Sequence, residues 1–160
     1  MLLDLSTSLA IAGFTLAVAG GLLLLSWLHH RSHRALAQWS SAFFLGAVAI
    51  ALIAARGHIP NVWSIWVANA FLATAYGVMW KGVRTFEGRA SRAAFVFAGT
   101  IVWLLACAIP AFYAAATARA VLMMAIGMTY SLLAVGELWR GRSEPLISRW
   151  PIMIVLTIMK

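Results

Sequence analysis

The sequence predicts an all-α protein: a polytopic membrane helix bundle with five full transmembrane helices and a partial sixth, in a single integral membrane domain over residues 1–160. Three observations predict it. Apolar residues make up 64% of the chain and charged residues only 10%, against roughly half and a quarter in an ordinary soluble domain. Five long stretches carry no charge at all, and about 20 such residues are needed to cross a hydrocarbon layer roughly 30 Å thick. The charges lie instead at the ends of those stretches, as in membrane-flanking loops.

The first stretch, residues 9–28, is preceded by Asp4 and lacks the basic start of a cleavable leader, so it reads as a retained helix. The second, residues 35–55, stops at Arg56, Gly57 and Pro60, which together supply a turn. The third, residues 62–80, follows so closely that the two must form a tight antiparallel hairpin. The fourth covers residues 93 to about 113 with Pro110 near its end, and the fifth covers 120–135 between Arg119 and Glu137. A sixth begins at Trp150 and stops at Lys160 after about half a bilayer of helical rise. The expectation is therefore a chain cut short at its C-terminal end.

Orientation follows from the rule that short cytoplasmic loops hold the excess lysine and arginine. Arg31 and Arg34 occupy the first connection, Lys81, Arg84, Arg89 and Arg92 the third, and Arg140, Arg142 and Arg149 the fifth, whereas the alternate connections hold only Arg56 and Arg119. This puts the odd loops in the cytoplasm and the N-terminus outside. Indole rings prefer the headgroup level, and Trp27, Trp39, Trp80, Trp139 and Trp150 fall at the predicted inner boundary, with Trp63 and Trp66 at the outer one. Trp103 alone is placed mid-span.

The second and third stretches make one outward-and-back hairpin and the fourth and fifth another of the same sense. Their turns read His58-Ile59-Pro60 and Ala108-Ile109-Pro110, and Tyr76 aligns with Tyr130 and Gly82 with Gly136. A parallel-sense hairpin repeat is expected. On the third helix Trp66, Asn69, Ala73, Tyr76 and Trp80 share one face, matched on the fifth by Met123, Gly127, Tyr130, Ala134 and Glu137, since residues three and four apart lie above one another. These stripes read as packed seams, small and polar residues being ordinary glue between membrane helices. The alternative is a small ligand pocket lined by Asn69, Tyr76 and Tyr130. Asn69 is the only carboxamide deep in the apolar layer, where an unpaired amide is costly. A further stripe of Gly13, Ala17 and Gly21 fits close packing within the bundle, or a homodimer face.

Several chemistries lack their residues. His29, His30 and His33 have no neighbouring carboxylate or thiolate to complete a metal shell and read as a basic membrane-edge cluster. No histidine lies inside an apolar stretch for haem ligation, and no acid lies deep enough for ion coupling. Cys107 is alone and can form neither an internal disulfide nor a thiolate cluster. Glu137, beside Arg140, reads as a pairing or positioning residue. Neither a nucleophilic triad nor a phosphate-binding loop is present, so no catalytic residue, cofactor or metal is expected. The charge of +8 belongs to membrane-flanking loops, with the lipid bilayer and not nucleic acid as the partner.

Four strings, 22–35 (LLLLSWLHHRSHRA), 56–70 (RGHIPNVWSIWVANA), 75–89 (AYGVMWKGVRTFEGR) and 137–151 (ELWRGRSEPLISRWP), resemble the N-terminal membrane region of bacterial membrane-bound diguanylate cyclases, which end in a GGDEF catalytic domain. The resemblance implies a multi-pass module of the bacterial inner membrane that senses or anchors on behalf of a cytoplasmic output domain making cyclic di-GMP. The GGDEF signature and its GTP- and metal-binding residues are missing, so the resemblance assigns no catalysis to any position. The competing class is a small transporter or channel subunit for a neutral solute, and a structural anchor without a ligand is the plainest reading.

Overall fold

A computed structural model describes residues 5–141. The predicted sixth segment, with Arg142, Arg149 and Trp150, lies outside them. The described residues form helices α1 (Leu5–His29), α2 (Arg34–Ala54), α3 (Val62–Phe86), α4 (Ala93–Cys107), α5 (Pro110–Ala114) and α6 (Ala116–Arg140). The first turns of α3, Val62–Val67, are wound as a π-helix. Four helices are long and apolar enough to cross a membrane: Thr7–His29, Arg34–Ala54, Val62–Phe86 and Ala116–Arg140. Their outward faces are apolar too, with Phe14 71%, Leu22 63% and Met124 72% exposed. Apolar surface on that scale is not left to water by a monomeric soluble protein, and the chain is a membrane-embedded helical protein.

Helix α3 stands at the centre, with α2, α4 and α6 packed around it, and α1 packs on α2. Small residues make this closeness attainable, as is usual between membrane helices. On α2 the buried positions are Ala35, Ser40, Ala42, Gly46 and Ala49, and on α3 they include Ala68, Ala73, Ala75, Gly77 and Gly82. A Cβ on Gly77 would land on the Val96 carbonyl of α4, so those two backbones touch. Polar ties cross these interfaces as well: Ser40 Oγ donates to Gly20 O at 2.8 Å, Trp39 Nε1 to Met79 O at 3.3 Å, and the hydroxyls of Thr74 and Thr100 meet at 2.8 Å.

The fourth predicted segment differs from the expectation in form. Helix α4 has 15 residues, a rise of about 22 Å. It ends because Ile109 is extended ahead of Pro110, which opens α5 as its first residue, the backbone preference that proline imposes on its predecessor. Helix α6 in turn starts before Arg119 and ends after Glu137, so both residues expected to bound it lie within it. Arg119 donates to Tyr113 O and lies 5.6 Å over the Tyr113 ring, which lets a cation occupy the first turn.

The residues aligned as a repeat have unlike surroundings. Tyr76 is half-buried against Gly127, while Tyr130 is buried and bonded to α4; Gly82 meets the Trp39 indole, while a Cβ on Gly136 would meet no described residue. Of the predicted interface tryptophans, Trp63 and Trp139 are exposed, whereas Trp80 is buried in the core. Gly13 and Gly20 face α2, and a Cβ on Gly21 would meet no described residue.

Candidate functional site

The two stripes predicted on the third and fifth segments face each other. Because α3 and α6 run in the same direction, the contacts advance together along both: Tyr76 against Gly127, the Trp80 and Tyr130 rings 6.2 Å apart, and Arg84 on Glu137. Ala73, Trp80, Tyr130 and Ala134 belong to one buried cluster, with Trp66, Tyr76 and Met123 against it.

Of the three pocket candidates, Asn69 sits near the π-helical start of α3. Its amide donates to Ile65 O of its own helix at 2.7 Å, so one hydrogen of this half-buried amide is satisfied locally. Neighbouring carbonyls are taken in the same way: Ser64 O accepts from Arg56 Nη2 at 3.2 Å and Trp66 O from Trp103 Nε1 at 3.2 Å. A π-turn lengthens the backbone bond from i→i−4 to i→i−5 and displaces carbonyls from the regular ladder, and here side chains from the α2–α3 turn, from α3 and from α4 collect on them. Ring contacts of Trp66 with Tyr113 and of Trp103 with Phe112, both at 6.2 Å, seat α5 over this end of the bundle.

Tyr130 does a different task. Its hydroxyl donates to Phe95 O at 2.7 Å and accepts from Gly99 N at 3.1 Å, so it is inserted between the two ends of one helical repeat of α4. Gly99 makes room, since a Cβ there would lie 2.8 Å from Tyr130 Cε2. Tyr130→Phe should destabilise the protein by about 1–2 kcal/mol, the cost of a lost buried hydrogen bond and its stranded partner. Faster amide exchange at Gly99 and a lower thermal midpoint in detergent are the readouts; an unchanged Gly99 amide would remove the hydroxyl from this role. Asn69, Tyr76 and Tyr130 thus lie along one seam, but Asn69 and Tyr130 are bonded to helix backbone at separate levels of it.

At the opposite end of the seam is a site the sequence reading did not assemble. Glu137 is only 6% exposed and accepts from Arg84 Nη1 at 2.9 Å and Arg89 Nη1 at 2.8 Å. The end of α3 sets this geometry. Gly88 takes φ +69°, Gly88 N bonds Thr85 O at 3.1 Å, and Arg89 N bonds Arg84 O at 2.8 Å, the paired closing bonds of a Schellman turn. The turn folds Arg89 back beside Arg84. Arg84 is fixed further by bonds from Nε and Nη2 to Ala90 O and by stacking 5.3 Å over Trp80. Glu137 was expected to act as a pairing residue beside Arg140; its partners come from α3 and the following turn. The available signal was Arg84 and Arg89 flanking a glycine in a predicted turn.

A cleft of about 820 Å³ opens next to this cluster, lined by the α1–α2 turn, the end of α3 and the end of α6. Asn69, Tyr76 and Tyr130 are not on its walls. The nearby His29 has Nδ1 2.9 Å from Leu25 O, its own helix carbonyl, and the His30 and His33 rings are 6.3 Å apart. No protein-family model matches this chain, and neither the curated proteins nor the solved structures provide a match to it.

Proposed function

We propose that the chain is the membrane sensor or anchor module of a diguanylate cyclase-type signalling protein, with no catalytic activity of its own. One observation carries the reading: the parallel α3–α6 seam joins the π-helical end, where Asn69 lies, to the Arg84–Glu137–Arg89 cluster at the other end. A displacement at one end of two helices fastened along their length is passed to the other as a rigid shift, the kind of small helix movement that switches employ. A signal bound near Asn69 and Tyr76 would favour one arrangement of that seam over another.

In this reading the N-terminus is outside the bacterial inner membrane. The clustered arginines face the cytoplasm, α4 and α5 together complete a fifth crossing, and the two hairpins descend from one repeat. A homodimer and a cytoplasmic output domain are the partners it implies. The test is made in cells that carry the gene in its native context. Asn69→Ala and Tyr76→Phe should change cyclic di-GMP by about twofold or more at unchanged membrane abundance, a shift that about 0.4 kcal/mol in a two-state balance would produce. Reporter tags in the 87–92 turn should report the cytoplasm. Cyclic di-GMP that ignores both variants and deletion of the gene would dismiss the signalling role, and periplasmic tags would reverse the topology.

A further inference from the structure

The cleft beside the Glu137 cluster has a chemistry of its own. His33 and Arg34 come to its wall from the α1–α2 turn, Arg89 from the turn after α3 and Arg140 from the end of α6, with Glu87 as the one carboxylate among the described lining residues. The arginines divide into two kinds. Arg84 and Arg89 are engaged with Glu137. Arg34 and Arg140 are exposed and make no ion pair with any described residue. Two cations on one concave wall, on different helices, outnumber its one described carboxylate, Glu87, and leave a positive excess that draws an anion.

Position and apolar lining say what kind of anion this is. The cleft lies where three membrane-length helices end, a position that falls at headgroup level when those helices span a bilayer. Its walls also include Leu36, Trp39 and Phe86, the last 39% exposed. An arginine pair beside an apolar wall at the end of apolar helices matches a molecule with a phosphate and an acyl chain. Basic pockets between transmembrane helices hold anionic headgroups in this way, guanidinium groups suit phosphate oxygens, and about 820 Å³ is within the size of a ligand pocket.

We infer that this cleft is a binding site for one anionic phospholipid, its headgroup phosphate bridging Arg34 and Arg140 and its acyl chains running along the apolar wall at Phe86. Bound there, the lipid ties the α1–α2 turn to the end of α6, two parts that no described ion pair joins. The site stands independently of the signalling role and of which membrane face it occupies.

The experiment measures lipid retained by the purified full chain, by native mass spectrometry after titration with dioleoylphosphatidylglycerol or dioleoylphosphatidylcholine. These lipids share acyl chains and differ in charge. Phosphatidylglycerol should bind with about one tight equivalent. Arg34→Gln and Arg140→Gln should each weaken it about fivefold and the pair about 25-fold, as expected for loss of one membrane-surface charge each. Arg34→Lys, which keeps the charge, should retain most of the binding. Arg31→Gln is the control: Arg31 stacks on Trp27, 5.4 Å from its ring, and lies outside the cleft, so its loss should leave the affinity within about twofold. Equal retention of the two lipids, or an Arg31→Gln loss as large as that of Arg34→Gln, overturns the site in favour of diffuse surface charge. Displacement of the lipid by an equal concentration of inorganic phosphate overturns the lipid assignment in favour of a soluble phosphate. Both target arginines are exposed, and the circular dichroism of the paired variant should match that of the wild type.

Discussion

Gly77→Ala should cost about 3 kcal/mol or more of stability, the largest loss expected from any single methyl group in this chain. The cause is the object that the new Cβ would strike. At Gly77 it is the Val96 carbonyl, backbone of the neighbouring α4, and a packed backbone can yield only if the helix moves. Moving α4 away also pulls on the Thr74–Thr100 bond and on Tyr130, whose hydroxyl sits in the α4 ladder. The other glycines within α3, α4 and α6 then form a series. Gly82→Ala meets the Trp39 indole, and Gly99→Ala meets Tyr130 and Ile126 side chains at 2.8 and 2.9 Å. These losses should be smaller, about 1–2 kcal/mol, because side chains can give way. Gly127→Ala touches Tyr76 at 3.2 Å, and Gly136→Ala meets no described residue within 4 Å. At Gly136 the better helix propensity of alanine should make the change neutral or slightly favourable. Thermal unfolding of the five variants in one detergent gives the order. A Gly77→Ala protein as stable as Gly136→Ala would mean that α3 and α4 do not pack backbone to backbone.

This series also marks where the sequence was legible. The apolar stretches and their ends were readable because hydropathy is a local property: α1, α2 and the start of α3 lie within a few residues of expectation. The face bearing Ala73, Tyr76 and Trp80 was readable because helical spacing fixes which residues share a side. The partner of that face was not. Local sequence alone does not choose between packing Gly77 on α4 and packing it on another helix, and the small residues along α3 serve several neighbours at once.

The candidate site shows the same limit. Asn69 was singled out because a buried amide needs a partner, and the partner proved to be Ile65 O, four residues away. A π-helical start was not predictable from residues 62–67, whose composition is ordinary for a membrane helix. Tyr76 and Tyr130 aligned by spacing, yet the carbonyl of Phe95 makes Tyr130 a cross-link to α4, a fact that resides in the packing of two helices distant in sequence. Glu137 was placed beside Arg140 because the two are three positions apart in sequence. Its actual partners are 48 and 53 positions away.

Glu137→Ala is expected to destabilise the protein by about 2–3 kcal/mol, below the 3–5 typical of a fully buried pair that loses one member. The discount follows from exposure: Glu137 itself has a side chain 7% exposed, but those of Arg84 and Arg89 are 26% and 41% exposed, and water can rehydrate both cations once the carboxylate has gone. The two arginines should differ in turn. Arg84→Ala also removes the bonds to Ala90 O and the stacking on Trp80, so it should cost about 1–2 kcal/mol, whereas Arg89→Ala removes a more exposed contact worth about 0.5–1 kcal/mol. Arg84→Lys should recover only part of the loss, because an ammonium cannot reach Glu137 and Ala90 O in the planar fork that guanidinium supplies. A double-mutant cycle of Arg84 and Glu137, read by thermal unfolding, should give a coupling of about 1–2 kcal/mol. Since this cluster is where α3, the turn after it and α6 are joined, Glu137→Ala should also raise amide exchange in the last turns of both helices while leaving Gly99 protected. Equal losses for Arg84→Ala and Arg89→Ala, or a coupling near zero, would mean that the carboxylate is held by its surroundings and fastens nothing.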